Sequence, residues 1–377
     1  MTSASQPGVA IGQPSGEVFV LLSSFNGSQF VGEQIESIRR QTFTQWTLLV
    51  RDDGSSDDTL DVVECIARGD PRIHLVRDGR GNLGAASSFG ALLDHAADLG
   101  ARYIALADQD DVWQPTKLTR QLELLRRREA ETGTATPLLI HSDLTVVAED
   151  LRVVHPSFLR FQHLRHVADW PLGAMLVQNF VTGCTAMFNR ALLRAAVPVP
   201  NVVMHDWWLA LCAAALGEIL YLPEATVLYR QHDRNLIGSR GWLQVCRSSL
   251  RRPAVWWRES GARFSAAVHQ ACELSRRIEG SGADAYPRTP GQVALRQFSD
   301  AFANDRGFLR RLGAVRRHRI RPRTLLPYPV FFYIRALLWS PLGATAPMPA
   351  TTSHRRRERD PRRARGPAIS NPKDGRV

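Results

Sequence analysis

The sequence predicts an α/β fold: a doubly wound, Rossmann-like and mostly parallel sheet, followed by a helical and basic C-terminal extension. Three observations carry that expectation. Strand-like and helix-like stretches alternate through four units in about 90 residues from Glu17, the pattern of repeated βαβ connections. The strands are continuous apolar runs, as expected where helices cover both faces. Charge is also divided: residues 1–240 carry 21 Lys and Arg against 27 Asp and Glu, whereas residues 241–377 carry 27 against 9. An acidic front and a basic back point to two parts with different partners.

The elements follow in order. Val18, Phe19, Val20, Leu21 and Leu22 form the first strand, and a helical pattern continues through Ile35 and Ile38 to Arg40. Trp46–Val50 and a helix from Asp58 to Ala67 make the second unit. Ile73–Val76 and a helix from Ala85 to Ala97 make the third, and Tyr103–Ala107 opens the fourth. In such sheets ligands bind beyond the carboxyl ends of the strands. That rule selects four loops: Ser23–Gly27, Asp52–Asp57, Arg77–Gly84 and Asp108–Asp111. A strand at Leu138–Asp143, a loop-rich stretch through Trp170, a helix near Ala191–Ala196 and a helix from His205 to Gly217 come next. The last begins beside an acid and stops at a glycine.

The expected layout is a loose tail over 1–16, an α/β domain over 17–240, a helical basic extension over 241–345 and a disordered basic tail over 346–377. The first residues are rich in Ser, Gly, Pro and Gln, and lack the basic start and apolar run of a signal peptide. Five cysteines (Cys65, Cys184, Cys212, Cys246 and Cys272) are scattered without CxxC spacing. That pattern argues against a zinc site or a disulfide framework and for a reducing compartment.

Two acidic clusters stand at strand ends. Asp52-Asp53-Gly54-Ser55-Ser56-Asp57 also reads as an acidic turn capping a helix. Asp108-Gln109-Asp110-Asp111 is harder to explain structurally, because three carboxylates should repel one another there. A divalent cation, Mg²⁺ or Mn²⁺, would relieve that repulsion through hard oxygen ligands.

The run from Val18 to Leu236 resembles the family-2 inverting glycosyltransferases of GT-A fold, and Asp108-Gln109-Asp110-Asp111-Val112-Trp113 is similar to the form in their rhamnosyltransferase-like members. The resemblance implies a nucleotide-sugar-binding domain that transfers a sugar, rhamnose by the motif, to a glycan or lipid-linked acceptor in polysaccharide biosynthesis. Ser24, Asn26, Asp52, Asp53, Asn82, Gly84, Asp108 and Gln109 would then surround the donor nucleotide. Asp108 and Asp110 would hold the metal, with His232 as a further ligand. Asp206, at the start of a helix, would be the catalytic base, although it also fits a helix N-terminal acid. Asp111, Trp113, Gly183, Trp207, Arg230 and Gln231 would lie on the acceptor or diphosphate side. Val181-Thr182-Gly183-Cys184 would form the acceptor-side strand, or simply pack closely through its glycine.

Two other classes have sequence support. Gly79-Arg80-Gly81-Asn82-Leu83-Gly84 satisfies the GxGxxG fingerprint of NAD(P)-dependent oxidoreductases, but on the third strand and beside an acidic rim. The arginines of 355–365 could suggest a nucleic-acid-binding protein, yet no aromatic interleaving or recognition helix accompanies them, so nucleic acid is not an expected partner. In the basic back end, residues 324–341 are the most apolar stretch, too short and too interrupted by Arg335 to span a bilayer. They read as an interfacial helix flanked by Arg316, Arg317, Arg319, Arg321 and Arg323, or as a helix packed on the domain. The expected location is cytoplasmic, peripheral to an anionic membrane surface.

Overall fold

The computed structural model describes residues 15–232, 253–281, 286, 289–303, 307–322 and 328–338. Residues 1–14 of the expected N-terminal tail, the whole of the expected 346–377 tail, and Arg323 lie outside the described residues.

The first half builds as the sequence leads one to expect. Strands β1 (Val18–Ser24), β2 (Trp46–Asp52), β3 (Ile73–Leu75) and β4 (Tyr103–Asp108) alternate with helices α1 (Val31–Arg39), α2 (Thr59–Arg68) and α3 (Ala85–Asp98). These strands pair in parallel in the order β3-β2-β1-β4. Strand β1 explains the continuous apolar runs: Val18, Val20 and Leu22 enter one core and Phe19 and Leu21 the other, so both faces are covered.

The second half mixes directions. After β5 (Val112–Trp113) and α4 (Lys117–Thr132) come β6 (Leu138–Val147), β7 (Val153–His155), α5 (Phe158–Phe161) and α6 (Pro171–Met175). A 3-10 turn at Gly183–Thr185, β8 (Met187–Asn189), α7 (Arg190–Ala196), α8 (His205–Leu216) and β9 (Glu218–Arg230) follow. Strand β8 runs antiparallel to β4 and β6, whereas β9 runs parallel to β6 and antiparallel to β5. The segment expected as an acceptor-side strand at Val181–Cys184 is therefore a turn that leads into β8. Helix α8 ends at Gly217, where a side chain would collide with the Pro137 backbone.

Helices α9 (Pro253–Gly280), α10 (Pro290–Ala303), α11 (Phe308–Arg317) and α12 (Tyr328–Leu338) form the helical C-terminal part. Phe264, Leu274, Phe298 and Phe332 join the same core as Trp208 and Leu211 of α8. Thr289 Oγ1 donates to Ala215 O at 2.8 Å, and Trp170 Nε1 donates to His318 O at 2.7 Å. Helix α12 covers the described part of the apolar 324–341 stretch. One face is packed through Phe332 and Ala336, while Tyr333, Ile334 and Leu338 are exposed. Among the described residues no helix is long and apolar enough to cross a membrane.

Candidate active site

Parallel pairing brings the strand ends together. Ser24 lies opposite Asp52, and Ser23 opposite Asp108, so the four loops selected from the sequence open along one sheet edge. On the β2 side, Asp52 accepts from Ser24 Oγ (3.2 Å), Ser55 N (2.9 Å), Ser55 Oγ (2.6 Å) and Gly54 N (3.2 Å). Asn26, at φ 48°, accepts from Ser56 N at 2.8 Å. Gln109 ties β4 back to the first loop, accepting from Phe25 N at 2.8 Å and donating to Phe25 O at 3.1 Å.

Asp53 turns inward. It is 2% exposed and accepts from Leu83 N and Gly84 N, each at 2.8 Å, and from Arg51. Arg51 also donates to both oxygens of Asp78, to Ser88 Oγ and to Gly81 O, which uses its whole guanidinium fork. Asp78 is held well below the usual carboxylate range by this arginine. The network fixes the 78–84 loop and sets Asn82 against Gly54, whose φ of 82° favours glycine. It also weakens the GxGxxG reading: the amides of Leu83 and Gly84, which would be needed for a pyrophosphate, already serve Asp53.

The β4 side is different. Asp110 Oδ2 lies 2.9 Å from His232 Nε2, and His232 stacks on Phe30 at 4.8 Å. Asp111 is fully buried; Oδ1 accepts from Arg230 N at 3.3 Å, while Oδ2 has no partner among the described residues. Ligand atoms of Asp108, Asp111 and Cys184 lie within 4.8 Å of one another. Burial, then Asp110 and Asp206, push Asp108 up to about 7, and burial, then Asp110 and Asp108, push Asp111 well up. The Cys184 thiol is also pushed well up by burial, so it stays protonated and is a poor partner for a hard cation. Lys117 lies close by with no exposure. Its Nζ donates to Gln121 Oε1 at 3.0 Å and sits 3.9 Å above the Trp113 ring. Burial lowers it to about 7, with the nearby Asp111 acting in the other direction.

Asp206 stands in the first turn of α8, half-buried, accepting from Gly183 N at 3.1 Å and Asn179 Nδ2 at 3.2 Å. Burial raises it to about 6. Trp207 is buried, with Nε1 donating to Met175 O at 2.7 Å.

Thus Asp108, Asp110, Asp111, His232, Gly183 and Asp206 gather on the β4 side, and Ser24, Asn26, Asp52, Asn82 and Gln109 on the β2 side. Trp113 and Trp207 point into the cores. Arg230 is 4% exposed, and its guanidinium donates to Asp110 O at 2.9 Å, to Glu33 and to Glu149 O. Gln231 N pairs with Val147 O at 2.9 Å. Sequence reasoning gave no role to Arg51, Lys117 or Asn179. A charge inside the apolar run Trp46–Val50 and its continuation was the available signal for Arg51. For Lys117 it was lysine's rarity, since Lys373 is the only other one.

The Glycosyl transferase family 2 model matches residues 19–194. The chain is 34% identical over 193 residues to the UDP-Glc:alpha-D-GlcNAc-diphosphoundecaprenol beta-1,3-glucosyltransferase WfgD of Escherichia coli, covering 51% of this chain and 67% of that one. It is 23% identical over 228 residues to the dTDP-rhamnosyl transferase RfbG of Shigella flexneri, covering 58% and 74%. A solved mannosyltransferase from Pyrobaculum calidifontis, in complex with GDP-Man and Mn²⁺, is 16% identical with a TM-score of 0.45, covering 86% and 88%. The chain belongs to glycosyl transferase family 2, and its α/β sheet with a helical C-terminal part accords with the GT-A fold expected of it. It spans 58% of the length of uncharacterised mycobacterial relatives that it matches at 27% identity.

Proposed function

We propose that the chain is an inverting glycosyltransferase that moves a sugar from a nucleoside-diphosphate donor to a hydroxyl of a glycan or lipid-linked acceptor in cell-surface polysaccharide synthesis. The observation that carries this reading is the position of Asp206: a half-buried carboxylate, raised to about 6, close enough to Asp108 to raise its pKa as well. At neutral pH it is mainly ionised and can take the proton of an acceptor hydroxyl as that oxygen attacks the anomeric carbon and the nucleoside diphosphate leaves. Gly183 N and Asn179 hold the carboxylate in place.

Asp108, Asp110 and His232 would hold a Mg²⁺ or Mn²⁺ ion. The donor set fits: two mutually repelling carboxylates with hard oxygens, one imidazole nitrogen, and beside them a buried Asp111 oxygen with no partner among the described residues. When bound, such a cation supplies charge stabilisation to the departing diphosphate. Ser24, Asn26, Asp52, Asn82, Gly84 and Gln109 frame the nucleotide, with Asp53 shaping its loop from inside. Rhamnose from dTDP-rhamnose is the first donor to test, supported by the Asp108–Trp113 motif and the named activity of RfbG.

We assign catalysis to 17–240 and membrane contact to 241–345. Exposed Phe308, Leu309, Tyr333, Ile334 and Leu338 accompany Arg310, Arg316, Arg317, Arg319 and Arg321, a composition suited to the anionic inner face of the cell membrane. Sedimentation with anionic but not neutral vesicles, reversed by high salt, is the expected behaviour.

The deciding experiment is nucleoside diphosphate release from a panel of nucleotide sugars with Mg²⁺ or Mn²⁺. Metal-dependent release by the wild type, lost in Asp110→Ala, is expected. Folded protein that binds none of the panel by calorimetry, with or without metal, would overturn the reading.

A further inference from the structure

His205, next to the proposed base, is not used by the reading above. It is 3% exposed, and neither ring nitrogen has a hydrogen-bond partner among the described residues. One face of the ring is fixed by Phe89 of α3, with centroids 3.9 Å apart and 21° between planes. The Nε2 edge faces Gly183: a side chain there would begin 3.2 Å from Nε2 and 3.4 Å from Asp206 Cβ. A Cβ there would be crowded, so glycine at 183 is what lets the imidazole and the Asp206 side chain meet along this edge.

Burial holds the imidazole neutral, at about 3, so it offers one N–H donor and one bare nitrogen. An unsatisfied buried polar atom costs about 1–3 kcal/mol. Phenylalanine could keep the stack on Phe89 without that cost. A polar ring that weakens the fold, placed beside a candidate base, is what a binding role would leave behind.

We propose that His205 is a substrate-binding residue whose Nε2 hydrogen-bonds a sugar hydroxyl presented beside Asp206. A hydroxyl both donates and accepts, so either tautomer can serve it. The inference rests on the transferase reading, and the hydroxyl belongs to either the donor sugar or the acceptor.

The test uses the full chain and the nucleotide sugar that the wild type turns over, with hydrolysis measured alone and transfer measured to a synthetic undecaprenyl-diphosphate-linked sugar. His205→Phe is expected to keep or raise Tm while transfer kcat/KM falls about 10-fold to 100-fold, the loss of one buried hydrogen bond. His205→Gln, which keeps a donor and an acceptor, should retain more activity than His205→Phe. Loss of hydrolysis in step with transfer assigns the hydroxyl to the donor, and loss of transfer alone assigns it to the acceptor. Wild-type rates in His205→Phe would show that the ring meets only water and overturn the proposal. So would a lowered Tm or failure to fold, since the ring would then be held by the protein itself. A wild type inactive toward every nucleotide sugar would remove the transferase reading itself.

Discussion

Asp53 and Asp111 are both buried carboxylates, one following β2 and the other β4, the two strands that flank β1. Asp53 accepts from two backbone amides and a guanidinium. Asp111 has one amide on Oδ1 and, among the described residues, no partner on Oδ2, in the company of Asp108 and Asp110. The first arrangement is a finished internal frame. In the second, charge remains to be balanced, and two of the buried side chains that keep an unpaired polar atom among the described residues, Asp111 and His205, lie on the same side as Asp206. One sheet edge thus carries a rigid half that positions and an unbalanced half suited to react.

The largest effect expected from breaking the reactive half is in Asp206→Asn. Transfer should fall by about 10²-fold to 10⁴-fold, the usual worth of a general base. Its Tm should change little, because asparagine can still accept from Gly183 N and removes a carboxylate whose pKa burial had raised, while it gives up the acceptor for Asn179 Nδ2. Nucleoside diphosphate release and thermal melting check both parts. Retained turnover would place the base elsewhere.

The rigid half should respond in the opposite currency. Arg51→Met leaves Asp53 and Asp78 without their shared cation, and breaking such a buried pair costs about 3–5 kcal/mol. Urea unfolding measures it directly. Near wild-type stability would show that the backbone amides of Leu83 and Gly84 suffice to hold the loop.

A smaller effect is the pH dependence of transfer. Asp206 acts deprotonated and has a raised pKa of about 6. With saturating metal keeping Asp108 ionised, the rate should therefore be flat above that value and fall about tenfold per pH unit below it. The acid limb should vanish from the residual rate of Asp206→Asn.

Much of this division was legible in the sequence. β1 to β4 fall where apolar runs placed them, each starting at the expected residue, with β1, β2 and β4 extending to the polar residues that end them. Helix α8 runs between the predicted acid and glycine. The later strands were harder to read. β9 contains Pro223, and its pairing with β6 skips from Leu222 to Ala225, so the run carries no clean period. Helix α4 went unread because charged residues crowd its sequence and its buried stripe includes Lys117 and Gln121. The strand-end acids could be picked out by type and spacing. Which acids face inward could not, because that depends on Arg51 and on amides about thirty residues away in the chain.

The smallest expected effect tests the unbalanced half by stability alone. Asp111 has a folded pKa raised by burial and by Asp110 and Asp108. For a carboxylate raised in this way, the stabilising contribution is complete below the ordinary unfolded pKa and is lost as pH rises toward the folded value. At neutral pH, in chelator, wild type therefore bears a cost that Asp111→Asn does not. The asparagine can still accept from Arg230 N. Lys117 loses a neighbouring carboxylate, which limits the gain to about 1 kcal/mol. The variant should melt higher than wild type at pH 7 and converge with it below about pH 4, where the unfolded carboxyl is also protonated. Saturating Mn²⁺ should narrow the difference from the other direction, because the wild type gains more from the added cation. A variant less stable than wild type at pH 7 in chelator would mean that Lys117 already balances Asp111, and both halves of the sheet edge would then count as finished frames.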